Sequence, residues 1–98
     1  MTQKMLKQRV KRRKVKFSID AAEASQVVLM GDFNKWDAKV HPMKKDEAGT
    51  WTKYLMLPPG KYEYKFLIDG QWKADPKNKK TCPNSFGSDN SVLDLKLK

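Results

Sequence analysis

The sequence predicts an all-β protein, an antiparallel β-sandwich, and three observations predict it. Apolar and polar residues alternate over short runs instead of recurring at the spacing of a helix face. Firm turn signals separate these runs at roughly the 8–12-residue spacing of small sandwiches. The one helix-like patch, Ala21-Ala22-Glu23-Ala24-Ser25, is too short to be more than a turn.

Each element follows from its own pattern. Val15, Phe17 and Ile19 point one way and Lys14, Lys16 and Ser18 the other, a half-buried strand. Residues 26–30 are rich in β-branched side chains, with Val27 and Leu29 alternating against Val28 and Met30. After a turn at Asp46-Glu47-Ala48-Gly49, Trp51, Lys53, Leu55 and Leu57 alternate with Thr52, Tyr54 and Met56. Pro58-Pro59-Gly60 breaks that strand. The clearest strand covers residues 61–68, with Tyr62, Tyr64, Phe66 and Ile68 on one face and Lys61, Glu63, Lys65 and Leu67 on the other. Residues 73–90 read as polar loop, and a last strand over 91–97 carries Val92 and the leucines. Trp51, Phe33, Phe66, Tyr62 and Tyr64 are the expected aromatic core. No internal repeat and no second domain are visible.

Composition narrows the function. Ninety-eight residues make one domain with little room for a deep cavity beside its own core. With 39% hydrophobic and 10% aromatic residues the chain can build a core and is not disordered throughout. No apolar run approaches the roughly 20 residues that span a bilayer, and no apolar segment follows the basic N-terminus as in a secretory signal. Cys82 is the single cysteine and His41 the single histidine, so neither an internal disulfide nor a zinc site of the usual kind is expected, and no cofactor. A cytoplasmic location is the resulting expectation.

The net charge of +10 is carried unevenly. Lys4, Lys7, Arg9, Lys11, Arg12, Arg13, Lys14 and Lys16 crowd the first sixteen residues without an acid, and the rest is nearly balanced. The expected division is a basic tail over residues 1–14 and a sandwich domain over 15–98. Such a tail is a solvated extension, or it meets nucleic acid, an anionic surface or an acidic partner. Without an aromatic residue before Phe17 it is poorly equipped to stack on bases.

Catalytic chemistry lacks its parts. His41 precedes Pro42 with no nucleophile elbow in the chain, and the glycines are scattered singly rather than gathered in a phosphate-binding loop. Asp32, Asp37, Asp69 and Asp75 all occupy turn contexts, where aspartate accepts backbone N–H bonds more often than it does glycoside chemistry. Trp36 and Trp72 stand apart. Each sits in a turn-rich stretch, Gly31-Asp32-Phe33-Asn34-Lys35-Trp36-Asp37 and Asp69-Gly70-Gln71-Trp72-Lys73, badly placed for a core and well placed to meet a ligand. Flat rings stack on the C–H faces of sugars, and polar side chains bond the hydroxyls.

Several motifs in order then resemble one family: Val27-Val28-Leu29-Met30-Gly31-Asp32-Phe33-Asn34-Lys35-Trp36, Leu57-Pro58-Pro59-Gly60-Lys61-Tyr62-Glu63-Tyr64-Lys65-Phe66, Ile68-Asp69-Gly70-Gln71-Trp72, and Asp75-Pro76. Together they resemble carbohydrate-binding module family 48, the glycogen-binding domain. That module is found in the beta subunit of AMP-activated protein kinase and as the early-set domain of isoamylases and branching enzymes. The resemblance covers roughly residues 15–96 and implies an immunoglobulin-like sandwich. It also implies non-catalytic binding of α-glucans such as glycogen, starch or maltooligosaccharides. It puts glucose units between the rings of Trp36 and Trp72 and Lys65 against a hydroxyl. Phe86, Ser88 and Asn90 stand where the family has an apolar, a hydroxyl and an Asn residue; Phe86 and Ser88 depart from the Leu and Thr of the kinase members. The implied partners are the glucan and a glucan-active enzyme or kinase acting in trans. Two alternatives remain: an accessory early-set domain associated with a glycoside hydrolase, and an interaction module working through the tail. Since the chain begins with Met1 and has no catalytic barrel, hydrolysis by the chain itself is not expected.

Overall fold

The computed structural model describes residues 11–96. Among the described residues eight strands form two antiparallel sheets: β1 (Arg13–Asp20), β2 (Val27–Gly31), β3 (Lys44–Lys45), β4 (Thr50–Leu57), β5 (Gly60–Ile68), β6 (Gln71–Lys73), β7 (Thr81–Pro83) and β8 (Asp89–Leu95). One sheet runs β1-β4-β3 and the other β2-β5-β8-β7, with β6 added beside β5.

The inward faces make the core. Phe17 and Ile19 of β1, Trp51 and Leu57 of β4, Val27 and Leu29 of β2, and Tyr64 and Phe66 of β5 are all buried in one cluster with Met43. The rings meet in offset and edge-on arrangements, with Phe17 and Tyr64 centroids 5.1 Å apart at 77°. Trp51 is inside, as its phase predicts, and its indole N–H reaches the Ala21 carbonyl. Alternation therefore places the long strands correctly, because each has one buried face.

Three differences concern short elements. β6 and β7 lie within or against the stretch that reads as loop, and β3 carries no strand signal in the sequence. All are two or three residues long at sheet edges, and β6 is exposed throughout, so no buried face imposes alternation on them. The last strand runs Asp89–Leu95, two residues earlier than expected. At the other end β1 takes in Arg13 and Lys14, which charge alone assigns to the tail, and the Arg13 guanidinium donates to the Lys96 carbonyl. Residues 1–10, which hold most of that tail, lie outside the described residues.

Two features of the larger sheet position the outward-facing side chains. The edge of β5 opposite β2 is shared: β8 pairs with its first half, Gly60↔Leu95 to Tyr64↔Ser91, and β6 with its last residues, Phe66↔Lys73 to Ile68↔Gln71. This brings Trp72 and the start of β8 to one side of the same strand. The free edge of β2 is covered by residues 41–43, with Leu29 N–H bonding the His41 carbonyl and Met43 N–H the Val27 carbonyl.

Candidate functional site

The outer face of the larger sheet carries the site. Residues opposed in an antiparallel pair share a face, so Leu67↔Trp72 puts Trp72 on the face of Lys65 and Glu63, and Cys82↔Asn90 and Glu63↔Val92 bring Asn90 there too. A groove of about 630 Å³ opens over this face, lined by Asp32, Trp36, Glu63, Lys65, Trp72, Asn84, Ser85, Phe86, Ser88 and Asn90. All six residues singled out from the sequence line it.

The Trp36 wall is built by the turn after β2. Residues Asp32–Asn34 form one 3₁₀ turn, and Lys35 and Trp36 then adopt left-handed backbone at φ 56° and 57°. Two consecutive non-glycine residues in that region are strained, of order 1–3 kcal/mol each, and need external support. Asn34 supplies it from a buried position. Its Oδ1 accepts the N–H groups of Gly31 and Trp36, while its Nδ2 donates to the Leu29 carbonyl and to His41 Nδ1. Asp32 fixes the ring itself, one carboxylate oxygen accepting the indole N–H at 3.1 Å and the other the Glu63 N–H at 2.9 Å. Gly31 lets this happen. A Cβ there would stand 2.6 Å from Phe33 Cζ and 2.8 Å from the Glu63 carbonyl oxygen.

The Trp72 wall comes from a two-residue hairpin. Asp69 and Gly70 both have positive φ, 46° and 83°, between the paired residues Ile68 and Gln71. Asp-Gly between strands is a strong hairpin signal, and it is the signal by which β6 is legible in the sequence. The Asp69 carboxylate also accepts the N–H groups of Ser25 and Gln26. Asp32, Asp37, Asp69 and Asp75 each accept a backbone N–H, in keeping with a structural role for all four.

The two indoles touch each other. Their centroids are 6.1 Å apart and their planes meet at 59°. A sugar held between two rings needs near-parallel planes roughly 7–8 Å apart, about 3.5–4.0 Å to each face. The two rings meet at an angle and present one bent aromatic surface to the groove.

The third side is the loop between β7 and β8. Asn84 organises it, its Oδ1 accepting the N–H groups of Phe86 and Ser88 and its Nδ2 donating to Ser88 Oγ and Asn90 Oδ1. Phe86 projects from the tip, 91% exposed. Folded over the sheet, this loop buries Lys65 to 7% exposure, its ammonium donating to Ser88 Oγ at 2.9 Å. Lys65 is on the outward face, as expected, yet it is not an ordinary solvated lysine. Asn90 is bonded within the protein, its Nδ2 donating to Glu63 Oε1 and its Oδ1 accepting from Asn84 Nδ2. Its amide orients neighbours. Sequence reasoning misses Asp32, Glu63, Asn84 and Ser85 as lining residues; Glu63 shares the phase of Lys65, and Asn84 opens an Asx-type turn before Gly87.

His41 adds a pH dependence. Burial, then the charge of Lys53, lowers its pKa below the ordinary 6.5. The neutral imidazole with its proton on Nε2 is the form whose Nδ1 can accept from Asn34 Nδ2. A folded-state value below the unfolded one means that stability is full above about pH 6.5 and is lost as pH falls below it. Thermal unfolding followed from pH 7.5 to pH 5 is expected to show this loss, and His41→Gln to flatten it. An identical slope in the variant would remove His41 from the account.

The family model described as the glycogen recognition site of AMP-activated protein kinase matches residues 13–98. The chain belongs to this glycogen-recognition family. It is 46% identical over 70 residues to Protein PTST homolog 2, chloroplastic, of Arabidopsis thaliana, covering 71% of this chain and 13% of that protein. It is 40% identical over 70 residues to Protein FLOURY ENDOSPERM 6, chloroplastic, of Oryza sativa subsp. japonica, with the same coverage of 71% and 13%. It is 32% identical over 71 residues to the human 5'-AMP-activated protein kinase subunit beta-2, covering 72% and 25%. The chain thus spans an eighth to a quarter of these relatives. The family is a carbohydrate-binding module of glycogen and starch type, as the motifs implied. The cytoplasmic expectation is corrected by the two chloroplastic relatives. It rests on cysteine count and the lack of an apolar leader, which speak to secretion and not to organelles.

Proposed function

We propose that the module holds a single α-glucan strand across the bent indole platform of Trp36 and Trp72, with Phe86 overhanging one side and Lys65 and Ser88 meeting hydroxyls. The observation that carries this reading is the pair of contacting indoles, set at 59° beside a buried, hydrogen-bonded lysine. An α-1,4-linked chain curves, so successive glucose faces turn with the platform, whereas a flat β-1,4-linked ribbon meets only one ring. Binding of this kind is weak per site, about −8 to −4 kcal/mol or micromolar to millimolar. The module itself acts as a targeting or scaffolding element and not as a catalyst, and a glucan-active enzyme or kinase is its natural partner in trans. The chloroplastic relatives support a plastid setting. The domain starts near Arg13, and the residues before it form the basic extension.

Titrating maltoheptaose while following tryptophan fluorescence tests the reading. Saturable binding is expected, with cellohexaose binding far more weakly. Raising salt from 50 to 300 mM is expected to change little, because stacking involves no counterion release, whereas attraction of the basic tail to a polyanion falls steeply. Failure of maltoheptaose and glycogen alike to bind would overturn it.

A further inference from the structure

We propose that Glu63 is a direct ligand residue of this groove, its carboxylate accepting a hydroxyl of a neutral glucan; the inference rests on the proposed glucan binding. Glu63 lies two residues before Lys65 on β5, on the same outward face, and both line the groove. Its Oε1 accepts the Asn90 amide at 2.9 Å. Among the described residues no N–H or O–H donates to Oε2, and the ion pairs, Lys80 and Lys96 with Asp94, lie elsewhere.

A carboxylate offers about four acceptor positions and is left under-satisfied by one amide. Hydroxyls are the donors a neutral sugar brings, and their bonds to an ionised acceptor are short and strong. The carboxylate is also held ready. Asn90 grips Oε1, Asn84 grips Asn90, and Asp32 holds the Glu63 backbone N–H, so little freedom remains to be lost when a ligand arrives. Beside it the Lys65 ammonium has spent one of three donors, on Ser88. Acceptor and donor stand side by side on one rigid strand, under the edge of a sugar lying on the platform. Asn90 then acts as the positioning residue for Glu63.

Glu63→Gln is the test, because glutamine keeps the shape and an oxygen for Asn90 while Oε2 becomes an NH₂ donor. Affinity for maltoheptaose is expected to fall about tenfold with unchanged melting temperature. Monodeoxy maltosides separate contact from scaffolding. One of them is expected to bind wild type more weakly and to lose nothing further in Glu63→Gln. Equal losses for every deoxy ligand, or unchanged maltoheptaose binding by Glu63→Gln while Trp72→Ala loses it, would overturn the role of Glu63 alone. Absence of binding by the wild type would overturn the glucan reading and this inference with it.

Discussion

Trp72→Ala is expected to weaken maltoheptaose binding by roughly thirtyfold or more while leaving the fold intact, the cost of removing an aromatic anchor of about 2 kcal/mol or above. The separation of the two effects comes from where the ring sits. Trp72 is 52% exposed in a three-residue edge strand whose other members, Gln71 and Lys73, are also exposed. Its ring lies against that of Trp36, with centroids 6.1 Å apart. Truncation therefore removes half of the platform and little of the core, and unfolding stability is expected to stay within about 0.5 kcal/mol of wild type. Titration calorimetry with maltoheptaose, paired with thermal unfolding, reads both quantities. Retention of full affinity by Trp72→Ala would show that the platform does not hold the sugar. Loss of affinity together with a large drop in melting temperature would place Trp72 in the scaffold.

How much of the fold and the site is legible in the sequence depends on the range over which each feature is decided. Alternation identifies β1, β4 and β5 and sorts Trp51 from the other two tryptophans, because burial of one strand face is a local, period-two constraint. β6 carries its Asp-Gly signal but no alternation, since neither of its faces is buried. Other features are long-range. Lys65 is covered because Ser88, far along the chain, folds back over it, and nothing near position 65 announces that. Asn90 looks like a free amide until Asn84 and Glu63 are seen to occupy both its ends. The angle between the indoles depends on two separate elements, the turn after β2 that fixes Trp36 and the β5–β6 pairing that places Trp72, and neither motif shows it alone. Motif resemblance reaches the residues that line the groove, and only packing says that the two indoles meet at an angle.

Asn34→Ala is expected to do what Trp72→Ala does not, lowering stability and binding together. Asn34 is 7% exposed and makes four side-chain hydrogen bonds. Alanine leaves the N–H of Gly31 and the carbonyl of Leu29 without their side-chain partner, at about 1–3 kcal/mol for each group that stays buried. A loss of about 3 kcal/mol corresponds to a fall in melting temperature on the order of 12–20 °C for a domain of this size. The binding defect follows from backbone conformation. Lys35 and Trp36 hold left-handed φ values that only the surrounding bonds enforce, and Asn34 provides one of those bonds directly to the Trp36 N–H. Released from it, Trp36 leaves the orientation in which Asp32 holds its indole, and the platform loses its second face. Asn34→Asp divides the two contributions, since aspartate keeps the acceptor for Gly31 and Trp36 but turns a negative oxygen toward the Leu29 carbonyl. Measured at a temperature where all variants remain folded, Asn34→Asp is expected to retain more glucan affinity than Asn34→Ala although it too is destabilised. Equal affinities for wild type and Asn34→Ala under those conditions would mean that Asp32 and the Gly31 carbonyl hold Trp36 without Asn34, and that the Asn34 bonds serve the fold rather than the site.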